Sequence, residues 1–255
     1  MKRLIKRFRQ RFLILIYTTI FLYSGFQLSH VAFSYYSDRQ TSALAQEIYY
    51  EAEQLESSPI MEELRIRPKF LPLVEINPDV VGWLTVDELN IDYPLVQSAD
   101  NEYYLQRNFF QEDSKAGSIF MDFRNGVQEL GRHTILYGHR MKDGSMFGQL
   151  HKLIDDKSTV IEGTFHFDTL YDSYEVSIIS AYRTTTDFDY IQTDFQNDEE
   201  YEAFLHDIQA KSALGTEIEL TASDLLLTLS TCDYILDHEE GRFVVHAKLT
   251  KVDKK

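Results

Sequence analysis

The sequence predicts a mostly β protein: an eight-stranded, mostly antiparallel closed barrel with peripheral helices, preceded by an N-terminal transmembrane helix. Three observations indicate this architecture. Residues 12–37 are uncharged and largely apolar, residues 38–66 carry helix formers with apolar side chains at helical intervals, and from Val80 onward short β-type runs alternate with turns. A chain of 255 residues has room for one membrane anchor and one domain with its own core.

The uncharged stretch has the length of a membrane-crossing helix. No formally charged residue lies between Phe12 and Ser37, and a helix needs about 20 apolar residues to cross the hydrocarbon core. Six basic residues precede residue 12, which predicts a cytoplasmic N terminus and an extracellular remainder. The alternative is a cleaved signal peptide. Its small-x-small triplet, residues 43–45, lies far downstream of the apolar core, so an uncleaved anchor is favoured.

The charge distribution bears on partners. All 41 acidic residues lie from Asp38 onward, and the formal net charge is −16. Binding to phosphates requires clustered Lys and Arg. We therefore expect no nucleic-acid partner, whereas the membrane is an expected partner because of the predicted anchor.

The chain is expected to have four parts: a basic cytoplasmic tail (1–11), a transmembrane anchor (12–37), a helical linker (38–74) and a folded domain (75–255). The linker is expected to be one or two helices, broken near residues 57–59, where two serines precede a proline.

The folded domain contains eight strand-like runs and three helical interruptions. The runs are 82–86, 90–96, 118–123, 133–139, 164–170, 174–184, 224–232 and 241–252. The interruptions are 101–109, 146–154 and 197–214. The last has apolar residues on one face and acids on the other, which predicts an amphipathic helix inside a connection of roughly forty residues.

The single cysteine, Cys232, ends the run 224–232 and is followed by Asp233 and a polar loop. This places it at the rim of the predicted barrel, where catalytic residues often lie. A lone cysteine in an exported protein is either a reactive thiol or a buried, inert one, and spacing alone leaves both interpretations open.

Arg242 and His139 are candidate partners of this thiol. Arg242 opens the next strand, so a short connection would bring it opposite Cys232, where a guanidinium favours a thiolate and binds an oxyanion. Taken alone, it is more simply a surface ion-pair partner of the acids in 237–240. His139 ends the run 133–139, before a turn-rich segment. The other histidines considered have no such context, or lie in a loop or the core: His30, His151, His166, His206, His238 and His246.

These residues resemble the motifs of a known family. TLSTC (228–232), YGH (137–139) and the Arg of GRFVVHAKL (241–249) resemble the nucleophile, histidine and arginine motifs of sortases, cysteine transpeptidases of Gram-positive bacteria. Segments similar to class B sortases in particular are 91–105, 117–122 and 137–150. The resemblance extends over roughly residues 75–251, with the motifs in the family's order.

The resemblance implies a sortase-type barrel that cleaves a C-terminal sorting motif after its Thr. The acyl group would be held as a thioester on Cys232, with His139 as acid and base and Arg242 as the oxyanion partner. It would then pass to an amine of the cell-wall cross-bridge or of a pilin Lys. Substrate contacts are implied for Asn101, Leu105, Thr186, Tyr190, Ile191 and Ser230. Neither a metal nor another cofactor is expected. Asp233 departs from the family pattern, in which Glu is expected, so no role is assigned to it.

Two other functions stay open on the sequence. A cysteine peptidase that only hydrolyses would use the same Cys and His. An anchored binding domain would contain the barrel without chemistry, and Cys232 would then resist a thiol-directed reagent. Within the sortase interpretation, cell-wall anchoring and pilin polymerisation would both use the same three residues.

Overall fold

A computed structural model of the protein describes residues 2–52, 66–156, 165–215, 218–233, 235–237 and 239–252. The chain divides into two compact units, Met1–Gln40 and Thr41–Lys255. The helix break expected near residues 57–59 lies outside the described residues, as does His238.

The N-terminal segment is one long helix, α1 (Lys2–Ala52). Within it, Arg9–Ala52 is long and apolar enough to be a candidate membrane span, with a window of mean hydropathy 1.5. The helix continues without interruption past residue 37, where the sequence analysis placed the end of the anchor. Nothing in the side-chain pattern stops it there, because residues 38–52 contain neither Pro nor Gly.

Eight strands close into a barrel in the order β1-β2-β3-β4-β7-β8-β6-β5. Their bounds are β1 Val80–Val86, β2 Ile91–Val96, β3 Ile119–Met121, β4 His133–Tyr137, β5 Phe165–Thr169, β6 Ser173–Thr184, β7 Leu225–Cys232 and β8 Arg242–Lys251. Each predicted run overlaps one strand, and the mostly antiparallel, closed architecture is confirmed. Two pairs are parallel, β2–β3 and β4–β7. The second becomes possible because a long connection separates β4 from β7.

Among the described residues after α1, the helices are α2 (Leu71–Ile76), α3 (Lys152–Asp155) and α4 (Asp198–Ala210). Short 3-10 turns occupy Pro68–Phe70, Asp87–Leu89 and Tyr103–Leu105.

Two predicted helices are much shorter than expected. In 101–109 only a 3-10 turn forms. The Asp100 carboxylate accepts the backbone N–H groups of Glu102 and Tyr103 at its start, each at 2.9 Å. The backbone then leaves the helical region at Gln106, where φ is −126° and ψ is 18°. In 146–154 only α3 forms. Met146 has a φ of 51°, in the left-handed region, which a helix cannot include.

The predicted amphipathic helix is confirmed as α4. Asn197 caps it by accepting the N–H of Glu200 at 2.8 Å. Its apolar face, which includes Tyr201, Phe204 and Ile208, packs with residues of β6, β7 and β8. Because side chains alternate along a strand, this helix covers the outer face of those three strands while their other face lines the barrel core.

The last turns of α1 pack on a different part of the barrel. The ring of Tyr49 stacks on Trp83 of β1 with centroids 4.0 Å apart, and its hydroxyl donates to Asp168 of β5 at 2.8 Å. Asp168 also pairs with Lys69 at 2.6 Å and with Arg67 at 2.7 Å. One buried carboxylate therefore joins α1, the segment before α2 and the barrel.

Candidate active site

The ends of three neighbouring strands bring Cys232, His139 and Arg242 together. In the antiparallel β7–β8 pair, Cys232 lies directly opposite Arg242, as the short connection predicts. In the parallel β4–β7 pair, Tyr137 lies opposite Ser230, and the Gly138 N–H donates to the Ser230 carbonyl at 3.3 Å. His139 and Cys232 each follow this pair by two residues, so both lie beyond the same end of the β4–β7 pair. The three residues thus belong to one edge of the barrel, the end at which β4 and β7 finish and β8 begins.

Glycines precede both partners because a side chain would not fit. A Cβ at Gly138 would lie 2.9 Å from the ring of Phe147, which is fully buried in the core. A Cβ at Gly241 would overlap the backbone oxygen of Asp233. The close approach at Gly241 lets its carbonyl accept the Asp233 N–H at 2.9 Å, which closes the loop between β7 and β8.

The Cys232 side chain is a free thiol and is partly exposed. It is neither the fully buried hydrophobe that the sequence left as an alternative nor a disulfide partner.

The His139 ring is oriented by a backbone carbonyl. Its Nε2 lies 2.7 Å from the carbonyl oxygen of Leu105. A carbonyl can only accept, so Nε2 carries the hydrogen, and in the neutral ring the lone pair is on Nδ1. The ring thus has one nitrogen fixed by the protein and the other left for proton exchange.

Arg242 is held by backbone rather than by the acids of the described part of its loop. Nη1 donates to the carbonyls of Gly241 at 2.9 Å and Glu239 at 3.1 Å. Nearby, burial raises the pKa of Tyr190, while its hydrogen bond with Ser230 and the positive charge of Arg242 oppose that increase. Tyr190 is therefore a neutral hydroxyl beside the cation.

Asp233, to which the sequence analysis assigned no role, is buried between two arginines. Its carboxylate accepts from Arg140 Nη1 at 2.9 Å and from Arg183 Nε at 3.1 Å. Its other oxygen accepts the backbone N–H of Ile235 at 2.8 Å. The position of Asp233 directly after Cys232 was the only sequence signal, since neither arginine is near it in the chain.

The predicted substrate residues occupy several positions around this edge. The Tyr190 hydroxyl is 3.0 Å from Ser230 Oγ, which joins two of them. Leu105 contributes the carbonyl that orients His139. Asn101 donates to Asp122 at 3.0 Å, and Thr186 is exposed in the connection after β6.

Two further buried residues, which contact the strands or the connection around the predicted site, were missed from the sequence. Asp122 is fully buried and forms a bidentate pair with Arg124, with both N···O distances 2.8 Å. His133 is also fully buried and contacts the carbonyl of Gln192 at 2.7 Å. It is the first residue of β4, at the opposite end of that strand from His139, and the sequence analysis did not consider it.

Comparisons with known proteins agree on one family. A family model described as "Sortase domain" matches residues 84–250. Sortase B of Listeria monocytogenes serovar 1/2a is 38% identical over 245 residues, which cover 96% of this chain and 98% of the relative.

Solved structures give the same result. A Bacillus anthracis protein described as similar to sortase B is 49% identical with a TM-score of 0.77, over 86% of this chain and 98% of that one. A Staphylococcus aureus sortase B–substrate complex is 35% identical with a TM-score of 0.74, over 85% and 98% of the two chains. The chain therefore belongs to the sortase family, among proteins named sortase B, and is a cysteine transpeptidase.

Proposed function

We propose that Cys232, His139 and Arg242 carry out this transpeptidation on a C-terminal sorting peptide. The observation that supports the assignment is the shared register of β4, β7 and β8, which brings the three residues to one edge. The partly exposed Cys232 thiol supplies the nucleophile, and His139 has a nitrogen left for proton exchange.

In the first half-reaction, the Cys232 thiolate attacks the carbonyl carbon of the peptide bond after Thr. The negative charge that develops on the carbonyl oxygen is stabilised by the guanidinium of Arg242, which offers planar donors. The C–N bond then breaks, and protonated His139 gives its proton to the leaving amine. The product is a thioester on Cys232.

In the second half-reaction, an acceptor amine attacks the thioester carbon. Neutral His139 accepts the proton that the amine loses, and the C–S bond breaks to return the Cys232 thiolate. Hydrolysis would follow the same path with water. Transfer wins where the site admits an amine in place of water.

The peptide is proposed to bind along the edge that holds the remaining predicted residues: Asn101, Leu105, Thr186, Tyr190, Ile191 and Ser230. The contacts between Tyr190 and Ser230 and between Leu105 and His139 support this, because they place predicted contacts next to the proposed nucleophile and base. The S. aureus relative has been solved as a substrate complex, which supports a sorting-signal substrate in general.

The acceptor is proposed to be an amine of the cell-wall cross-bridge or of a pilin Lys. Residues 1–11 are proposed to be cytoplasmic, residues 12–37 to cross the membrane, residues 38–74 to link, and the catalytic domain, 75–255, to lie outside the cell. The basic residues before residue 12 and the candidate span in α1 support this orientation.

The test is mass spectrometry of the protein with a library of sorting-type pentapeptides, with and without an amine acceptor. We expect a covalent adduct on Cys232 and an amine-linked product, both absent in Cys232→Ala. Adducts that give only free acid would indicate a hydrolase. Absence of any adduct in the wild type would contradict the assignment of Cys232 as nucleophile.

A further inference from the structure

We infer that His133 is a positioning residue for peptide binding, and that it acts together with Arg124 on the segment Tyr190–Ile191–Gln192. The two side chains hold consecutive backbone carbonyls of this segment, which carries two of the proposed substrate contacts. The inference rests on the proposed function of this segment.

The first of these two hydrogen bonds is donated by His133, on the outer face of β4. Its Nδ1 lies 2.7 Å from the Gln192 carbonyl, and its Nε2 lies 2.6 Å from Thr228 Oγ1 on β7. Because the carbonyl can only accept, Nδ1 must carry the hydrogen, and Nε2 must then accept the hydroxyl hydrogen of Thr228.

The same donor and acceptor rules fix the direction of the other hydrogen bonds in this buried series. Thr228 Oγ1, having given its hydrogen to His133, accepts from Nδ1 of His246 at 2.7 Å. Nε2 of His246 then accepts from the Tyr182 hydroxyl at 2.8 Å. All four hydrogen bonds run in one direction, towards Gln192, and each nitrogen and hydroxyl in the series is used.

The surroundings keep both histidines neutral. Burial lowers the pKa of His133 to about 4 and holds the pKa of His246 well below its usual value. Phe204 of α4 lies against both rings, with centroids 5.4 and 6.5 Å away. A second proton on either ring would point at the hydrogen of a neighbouring donor in this series of hydrogen bonds, and the two would repel. The donor on Nδ1 of His133 is therefore permanent at neutral pH.

The second hydrogen bond is donated by Arg124, in the loop after β3. Nη2 of Arg124 donates to the Ile191 carbonyl at 3.0 Å. The guanidinium is itself fixed by its bidentate pair with Asp122, which in turn accepts from the hydroxyl of Tyr137 at 2.8 Å. Arg124 is thus aimed by a buried carboxylate rather than free to rotate.

A third contact fixes the side chain of Tyr190 against β7. The Tyr190 hydroxyl is 3.0 Å from Ser230 Oγ, two residues before Cys232. Side chains from the β3–β4 region and from β7 therefore immobilise three consecutive residues that are not part of any strand. A segment that is already ordered loses less conformational entropy when the peptide binds. Releasing the segment should therefore weaken peptide binding and raise KM.

The test compares two substitutions of one residue. His133→Leu removes both nitrogens, whereas His133→Asn keeps an amide donor close to the position of Nδ1. His206→Leu is the matched control, since this histidine is exposed on α4. Arg124→Lys is a second variant that keeps the positive charge beside Asp122 but loses the fork that reaches Ile191.

Steady-state kinetics with a sorting pentapeptide and an amine are combined with hydrogen exchange of the 186–192 amides and alkylation of Cys232 by iodoacetamide. We expect His133→Leu to raise KM about 10-fold with kcat changed less than about 2-fold. Exchange in 186–192 should be faster and alkylation unchanged. His133→Asn should recover most of the KM, and Arg124→Lys should raise KM in the same sense.

Opposite patterns would overturn the inference. A fall in kcat and in alkylation at constant KM would mean that His133 acts on the nucleophile. Unchanged exchange in 186–192 would mean that the segment is not held by His133 at all. Failure of the wild type to transfer any peptide, with Cys232 still alkylated, would instead refute the proposed function, on which the binding role of His133 depends.

Discussion

Arg140 donates a hydrogen bond to Asp233 at 2.9 Å, so the residues that directly follow His139 and Cys232 are joined to each other. The Asp233 side chain is 1% exposed and the Arg140 side chain 21%. Arg183 donates to the same carboxylate oxygen at 3.1 Å. The proposed base and nucleophile are thus linked through their neighbours by a buried ion pair as well as by the strands.

Replacement of this carboxylate should damage both stability and chemistry. Asp233→Ala leaves two partly buried guanidinium groups without their shared partner, and we expect a loss of about 3 kcal/mol in the free energy of unfolding. Thioester formation should also slow, because the relative position of His139 and Cys232 is no longer held. Urea unfolding and adduct kinetics measure the two effects.

The control for this prediction is Asp155→Ala. Asp155 pairs with the same Arg183, at 2.6 Å, but its side chain is 41% exposed, so its loss should cost under about 1 kcal/mol. Equal effects of the two substitutions would show that the burial of Asp233 is not what matters.

Even a conservative replacement of Arg242 should impair catalysis. Both Arg242→Ala and Arg242→Lys should lower kcat by about 100-fold or more, because an ammonium group does not reproduce the planar donors proposed to bind the oxyanion. Cys232 should still react with iodoacetamide in both variants. Near-wild-type kcat in Arg242→Lys would mean that charge alone is needed and that the oxyanion role is wrong.

Gly138 should tolerate no side chain. The added Cβ of Gly138→Ala meets the buried Phe147 ring at 2.9 Å, and the displacement should cost about 1–3 kcal/mol of stability. Because His139 is the next residue, kcat should fall as well, by about 10-fold or more. Gly131→Ala is the matched control, with nothing within 4 Å of its new Cβ. Wild-type rates for Gly138→Ala would contradict the close packing at this position.

The buried histidines predict loss of stability in mild acid. The pKa of His133 is about 4 because of burial, with Arg124 lowering it further and Asp122 opposing that effect, whereas an unfolded histidine has a pKa of about 6.5. The unfolded state binds the proton first as pH falls, so the contribution is fully present above pH about 6.5 and is lost towards pH about 4.

The expected slope in that interval is at most about 1.4 kcal/mol per pH unit for each histidine. Urea unfolding at several pH values measures it, and His133→Asn should have a shallower slope than the wild type. Parallel curves for the two proteins would show that His133 does not titrate differently in the folded and unfolded states.

Asp168 predicts a second, more acidic transition. Although burial raises its pKa, the ion pairs with Lys69 and Arg67 hold it at about 2. Its contribution is present above the unfolded pKa and is lost as pH falls from about 4 to about 2. Asp168→Asn should therefore cost about 2 kcal/mol at neutral pH and reduce the acid loss in that interval.

Limited proteolysis should show which segment the ion pairs of Asp168 stabilise. Cleavage in the segment around Arg67 and Lys69 should become faster in Asp168→Asn. Asp113→Asn serves as control, since its carboxylate is 92% exposed beside Arg107, and it should leave both stability and cleavage unchanged. Unaltered cleavage in Asp168→Asn would mean that other contacts hold this segment.

Strand positions could be predicted from the sequence because alternation of side chains is local. The eight runs overlap the eight strands, and the apolar face of 197–214 marked α4. The two short helical segments were overestimated, because the backbone leaves the helical region at Gln106 and lies in the left-handed region at Met146. The opposition of Cys232 and Arg242 was also predictable, because a short loop joins their strands.

The sequence by itself determined the candidate membrane span, the strand order along the chain, and the lone thiol with its neighbouring Arg and a distant His. Only the tertiary structure decided which partners these residues have. Asp233 lies 93 residues from Arg140, and His133 lies 59 residues from the carbonyl that it holds. Such contacts depend on the parallel pairing of β4 with β7 and on the path of the long connection between them. Local side-chain periodicity carries no information about which distant segment comes to lie alongside, so these partners could be identified only once the barrel had closed.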